Sequence, residues 1–369
     1  MATLQRAANA TRRLKLAIAA RRWPPFSRLF LVSDNPNWVL SEEMRELAAT
    51  AQRLGIAVGS RQQPTGVHAQ SVFYASHFFL RDDRYLRGGN RVAVAYFHGR
   101  PTSPDPVFAQ CYGVLSREHR RISRVQVSHS VMRDVILESG IDPAKVFLIP
   151  IAVNLDYFPL QTPESRRAAR EAYGLPQDAV IVGSFQKDGV GWGDGLEPKL
   201  IKGPDVFLEA VRQLKEWIPE LFVLLSGPAR GFVKAGLERL GVPYRHFYVE
   251  AYPEVGRLFQ ALDLYVVASR EEGGPKAVLE AMASGVPLVT TRVGQAIDLV
   301  QHGTNGWMVE VDDADGLAHF AAEALAHRDD LAAVIRRGRQ TAESNSYPSQ
   351  LPLWRAFFQG FVEAGAAPE

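Results

Sequence analysis

Short apolar runs alternate with stretches in which apolar residues recur every third or fourth position, from residue 28 almost to the end of the chain. The runs RLFLVS (28–33), SVFYAS (71–76), RVAVAYF (91–97), RVQVS (124–128) and KVFLI (145–149) read as buried strands. Between them, SEEMRELAATAQRLGI sets Met44, Leu47, Ala48 and Leu54 at helical spacing, with Ser41 and Glu43 as a start and Gly55 as a stop. SHSVMRDVILESG is a further helical stretch. Around residues 156 to 172 the pattern lapses into a polar segment broken by Pro159 and Pro163, which is the expected domain boundary. A second series follows: strands at 179–185, 220–227, 244–249, 263–269 and 286–291, WMVEV near 307, and helices between them. In the 204–218 helix, Phe207, Val211, Leu214 and Ile218 share one face. The last stretch, YPSQLPLWRAFFQGFVEAG, reads as an apolar helix that docks back on the first domain.

Strands alternating with helices call for parallel sheets covered on both faces. The expected fold is therefore α/β, with two doubly wound, Rossmann-like domains whose strand C-termini face a central cleft. The expected divisions are a basic arm at 1–27, a first domain at 28–160, a second at 161–345 and a crossing helix at 346–369. A chain of 369 residues with 46% hydrophobic and 22% charged positions suits two globular domains and excludes a disordered or collagen-like chain. The single cysteine, Cys111, cannot form an internal disulfide, which fits a reducing, cytoplasmic setting. No apolar run approaches the length of a spanning helix.

Net charge is +2, yet residues 1–33 hold seven Lys or Arg and no Asp or Glu. Such an arm suits either peripheral contact with an anionic membrane face or a solvated tail. Its apolar residues are mostly alanine. It lacks interleaved aromatics, which sets nucleic acid aside as a partner.

The most informative segment is DLYVVASREEGGPKAVLEAMASGVPLVTT: strand, glycine turn, helix, glycine stop, strand. Gly273 and Gly274 permit close backbone approach, Pro275 suits the first helical position, and Gly285 suits a left-handed stop. A helix N-terminus behind a glycine turn favours a phosphate or sugar hydroxyl. Glu272 in the turn and Glu280 in the helix flank seven residues and can hold two parts of an extended ligand; the plainer reading is a structural turn and a solvated Glu280.

This segment resembles the retaining nucleotide-sugar glycosyltransferases of family 4, which have the GT-B fold. The resemblance covers about residues 125–350, and the first 120 only weakly. It implies that Glu272 contacts the donor sugar, Glu280 the nucleotide ribose, and Lys202 in IKGPDVFLEAV the donor diphosphate. DPAKVFLIPIAVNLDYF is similar to the segment closing the first lobe, with Ile151 and Ala152 where Asn-Gly is usual. Where the family has an arginine after the glycine of its opening strand, this chain has Ser184 after Gly183, so Lys187 in the glycine-rich loop is the expected second cation, with Lys199 behind it. His98 in YFHGRP stands where the family often has an active-site histidine, with Arg100 beside it. Asn35 and Trp38 in SDNPNWVL replace the usual glycines and are candidate acceptor contacts, or equally a turn and a core tryptophan. His129 is a weaker cleft candidate; His77, His119 and His302 read as structural or exposed. Asp313 and Asp315 have metal-site spacing, but a helix cap explains them.

The resemblance implies transfer of a sugar from a nucleoside diphosphate to an acceptor hydroxyl of a glycan or lipid-linked molecule, with Lys202, Lys187, Gly273 and Gly274 stabilising the leaving group and no cofactor or metal required. A non-catalytic nucleotide-binding or glycan-binding protein and a UDP-sugar epimerase are the alternatives.

Overall fold

The computed structural model describes residues 23–33, 39–326 and 331–363. The chain divides into two compact units, one of Met1–Ile149 with Leu351–Glu369 and one of Pro150–Gln350. Asn35, Trp38 and the basic arm up to residue 22 lie outside the described residues.

In the first unit, β1 (Arg28–Val32), β2 (Ala57–Arg61), β3 (Ser71–Tyr74), β4 (Arg91–Ala95), β5 (Ile122–Val127) and β6 (Val146–Leu148) form one sheet in the order β2-β1-β3-β4-β5-β6. Every pairing is parallel. Strand side chains alternate between faces, so the sheet feeds two cores. Phe30, Val32, Val72 and Val94 pack with Cys111 and Leu115 of the helix Pro106–Glu118 and with Met132 and Ile136 of the helix Ser130–Leu137. Leu29, Leu31, Phe73 and Ala93 pack with Leu47 and Ala51 of the helix Val39–Arg53 and with Trp354 and Phe357 of the helix Leu351–Phe358. The final helix thus lies on the first sheet, as its apolar sequence implies. It is strapped there by Arg91, which pairs with Glu363 at 2.7 Å and donates to the Phe361 carbonyl at 3.2 Å. Burial pushes the Cys111 thiol up to about 11, which leaves it an inert packing group.

The second unit is again a six-stranded parallel sheet, of β7 (Val180–Phe185), β8 (Leu221–Ser226), β9 (Tyr244–Phe247), β10 (Leu264–Val267), β11 (Leu288–Thr291) and β12 (Trp307–Val309). Its parallel order is β12-β11-β10-β7-β8-β9, so the winding reverses between β7 and β10. Phe207, Val211 and Leu214 of the helix Pro204–Trp217 are buried in its core, with Ile218 partly buried against them.

The units divide at Ile149/Pro150 rather than at residue 160. Residues 150–161 pack on the second unit: Gln161 N donates to the Ser284 carbonyl at 2.9 Å, and the Phe158 ring lies 5.7 Å from that of Phe259. Nor is the polar stretch before 172 a linker, because it contains the helix Pro163–Ala172. That helix buries an arginine instead of an apolar stripe. Arg170 is 1% exposed and donates to the carbonyls of Ala261, Gln177 and Ala179 and to Asp263 Oδ2 at 2.7 Å, while Arg166 pairs with the other oxygen of Asp263.

Candidate functional site

Open α/β sheets bind ligands beyond the strand C-termini where the winding reverses, which in the second unit is the end of β7 and β10. Two loops leave those ends. After β7 the chain runs through a glycine-rich loop to the single turn Leu200–Lys202, then through Gly203 into the helix Pro204–Trp217. Gly203 has φ +60°, and a Cβ there would lie 1.9 Å from the Ala268 carbonyl oxygen at the end of β10. Only glycine lets the two loops approach so closely. After β10, Ser269–Pro275 turns into the helix Lys276–Ser284.

Where the loops meet, Lys202 Nζ lies 2.5 Å from Glu272 Oε1, with the two side chains 21% and 13% exposed. The Ser269 hydroxyl donates to the same carboxylate oxygen at 2.9 Å, and Gln186 Nε2 donates to the Lys202 carbonyl at 3.1 Å. Thr291 on β11 donates to the Ser269 carbonyl at 2.6 Å. A cation, a carboxylate, a hydroxyl and an amide from the two loops are thus joined at the reversal point. Glu280 is 5% exposed and accepts from the Tyr252 hydroxyl.

Close beside Glu280 in the helix, Lys276 is buried, with its ammonium 3.2 Å from the Ala152 carbonyl, 3.3 Å from the Tyr347 hydroxyl and 5.2 Å from the centre of the Tyr252 ring. Pro275 is the capping residue rather than the first helical one, since its ψ of 98° is extended. Gly285 ends the helix left-handed at φ +71°. At Gly274 the missing side chain makes room for Ile151, whose Cδ1 lies 2.5 Å from where a Cβ would stand. Gly273 is buried in the same turn.

Beyond β7, Gly183 and Ser184 are internal. A Cβ on Gly183 would meet Leu262 at 2.5 Å, and Ser184 is 1% exposed. At Ser184, where the resembled family carries an arginine, a guanidinium arrives from elsewhere: Arg230, just after β8, donates to the Ser184 carbonyl, to Ser184 Oγ at 3.2 Å and to the Ser226 carbonyl at 2.8 Å. It also pairs with Asp188 at 3.0 Å, both side chains fully buried. Burial pushes the Asp188 carboxyl above its ordinary value, only partly offset by Arg230. Lys187, the expected second cation, rests its ammonium 3.9 Å from the centre of the exposed Trp192 ring, and partial burial lowers its pKa. Lys199 precedes the Leu200–Lys202 turn, and its amide donates to the Asp188 carbonyl at 2.8 Å.

In the first unit, His98 follows β4 and is half-buried among rings, edge-on to His77 at 5.1 Å and to Phe108 at 5.4 Å. His77 is 2% exposed rather than a surface group, its Nε2 has no hydrogen-bond partner among the described residues, and burial lowers its pKa well below 6.5. Arg100 is exposed, its amide donating to Ser103 Oγ at 3.0 Å. His129 is itself a helix cap: Nδ1 accepts from Met132 N at 3.3 Å, and Nε2 lies 3.3 Å from the Phe97 carbonyl. Asp313 caps a helix through Gly316 N at 2.7 Å, and Asp315 accepts from Gln213 at 2.6 Å. Among the described residues no group of three or more His, Cys, Asp or Glu can hold a metal ion, and no helix is long and apolar enough to cross a membrane.

Of the residues named from sequence, Lys202 and Glu272 come into contact while Glu280 pairs with Tyr252; Gln186, Ser269, Tyr252, Arg230 and Lys276, which contact named residues or neighbour them, are not singled out there. Neutral polar residues at strand ends carry no charge signal, and a lone arginine in a turn looks solvated until its partners are seen.

Two doubly wound Rossmann-like units with these strand orders make up the GT-B architecture. Residues 196–341, which include Lys202, Ser269 and Glu272, match the family of glycosyl transferases group 1. The chain is 32% identical over 214 residues to D-inositol 3-phosphate glycosyltransferase of Mycolicibacterium paratuberculosis, covering 56% of this chain and 45% of that protein. Against the enzyme of the same name from Mycobacterium tuberculosis it is 32% identical over 201 residues, covering 51% and 38%. The chain therefore spans less than half the length of these curated relatives. Solved structures share the fold at low identity. Anabaena Alr3699/HepE, in complex with UDP and glucose, superposes with a TM-score of 0.72 at 15% identity over 90% of this chain and all of that one. Sucrose-phosphate synthase from Thermosynechococcus elongatus does so with a TM-score of 0.72 at 17% identity, again over 90% of this chain and all of that one.

Proposed function

We propose that the protein is a retaining glycosyltransferase that moves a sugar from a nucleoside diphosphate, a UDP- or GDP-sugar, to a hydroxyl of a glycan or lipid-linked acceptor. The observation that carries the reading is the Lys202–Glu272 pair at the reversal of the second sheet. The group 1 match over this region and the UDP bound in a structural neighbour support it. In this reading the bond from the anomeric carbon to the β-phosphate oxygen breaks as the acceptor oxygen bonds on the same face. The acceptor proton leaves with the departing phosphate. Lys202 and the amides of the Gly273–Gly274 turn offset the charge that grows on the diphosphate, so the reaction needs no metal. Glu272 holds the donor sugar, Glu280 the ribose, and His98 is the candidate contact to the sugar or acceptor. Peripheral contact of the basic arm with the inner membrane face belongs to the same proposal.

The test is sugar transfer from radiolabelled UDP- and GDP-sugars. Glu272→Ala is expected to lower kcat by about 10²–10³, the scale of losing a preorganised polar contact. Wild-type rates in that variant would refute the assignment. Conversion of the donor sugar without acceptor would indicate an epimerase instead.

A further inference from the structure

The Lys202-bearing turn is held by an unusual set of contacts. Its three successive carbonyls, those of Leu200, Ile201 and Lys202, are all captured from the ends of β7 and β10. Arg270 Nη1 donates to the Leu200 carbonyl at 2.7 Å. The backbone amides of Arg270 and Glu271 donate to the Ile201 carbonyl at 2.9 and 3.1 Å. Gln186 supplies the bond to Lys202 described above.

The Arg270 side chain does more than close that turn. Its Nη atoms grip both oxygens of Asp205, in the first turn of the helix Pro204–Trp217, at 2.8 and 2.7 Å, and its Nε pairs with Asp312 at 2.5 Å. One guanidinium therefore ties together the segments before and after Lys202 and the loop beyond β12. These bonds hold the Asp205 carboxyl below its ordinary value and raise the pKa of Arg270.

We infer that Arg270 is a positioning residue for Lys202, fixing the backbone from which the ammonium reaches the donor diphosphate; this rests on the functional reading above. Arg270 is itself committed to Asp205, Asp312 and Leu200, so its influence on the phosphate runs through Lys202. Its partners are exposed, Asp205 by 41% and Asp312 by 58%. Exposed ion pairs contribute little to global stability, so the effect of the clamp falls on geometry. A lysine lacks the planar fork that spans these acceptors.

The test is a double-mutant cycle on the full chain, with UDP and GDP binding measured calorimetrically and the nucleosides as controls. Arg270→Gln is expected to weaken diphosphate binding about three- to tenfold when Lys202 is present and to have no further effect in Lys202→Ala, the signature of residues that act through one another. Nucleoside binding and the melting temperature should change little. Asp205→Asn, which frees one end of the guanidinium, should shift binding in the same direction and carries the cycle if Arg270→Gln folds poorly. Equal weakening in both backgrounds, or none in either, would overturn the inference while leaving the functional reading in place. Failure of the wild type to bind any nucleoside diphosphate would overturn both.

Discussion

Both units are doubly wound parallel sheets, in different strand orders, and they fill their strand ends with opposite chemistry. Beyond β4 in the first unit, the space is packed with rings: His77, Tyr96, His98 and Phe108, with Gly99 at φ +91° to admit the Phe108 ring. Beyond β7 and β10 in the second, it holds an ammonium, a carboxylate, a hydroxyl and an amide in one network. Packed rings shape a wall and choose what fits against it. Linked charges hold a polyanion, and they hold each other when it is absent. Under the proposed function, the polar network is the donor side, and the ring-packed strand end is where an acceptor would be chosen.

The sharpest way to break that contrast is to separate the Lys202–Glu272 pair. Glu272→Gln keeps the shape but releases Lys202 from its carboxylate. In this account transfer falls by about 10²–10³, while UDP binds more tightly than to wild type, because the diphosphate no longer competes with Glu272 for the ammonium. Opposite movement of kcat and product affinity is the readout; weakened UDP binding would mean that the pair is not displaced by the ligand.

A smaller effect compares the glycines. Gly203→Ala forces a Cβ against the Ala268 carbonyl, a backbone atom, at positive φ, and is expected to destabilise by roughly 2–4 kcal/mol in chemical denaturation. Gly99→Ala, also at positive φ, meets a side chain, the Phe108 ring at 2.1 Å, rather than backbone and should cost about 1–3 kcal/mol. A greater loss at Gly99 would show that the aromatic wall is the stiffer of the two sites.

The smallest effect is titration of the aromatic wall. His77 has a folded pKa below its ordinary 6.5 because burial disfavours the charged ring. Below about pH 6.5 the unfolded chain takes up a proton that the folded one refuses, so stability falls with pH by up to ~1.4 kcal/mol per unit until the folded pKa is reached. His77→Phe should remove that slope from denaturation curves recorded between pH 8 and 5, and an unchanged slope would move its origin to another group.

Much of the second unit is legible in its sequence because its helices present apolar faces at regular spacing, as with Phe207, Val211 and Leu214, and because Gly285 marks a helix end. The helix Pro163–Ala172 is hidden because its buried face is Arg170, and no apolar period betrays it. In the first unit, β2 is an edge strand with largely exposed residues, and the turns His77–Arg81 and Asp83–Leu86 are too short to show a period. At the site, Lys202 and Glu272 stand out by charge and motif. Arg230 reaches Ser184 across 46 residues and Arg270 reaches Asp205 across 65, partnerships that no local pattern encodes.

If the reversal of the second sheet holds a nucleoside diphosphate through Lys202, the melting temperatures of wild type and Lys202→Ala with UDP and GDP will show it. One of the two nucleotides at about 100 times its Kd should add ~2.7 kcal/mol to wild type, with a clearly smaller gain in the variant. An equal gain in both proteins, or none in either, would contradict that role for Lys202.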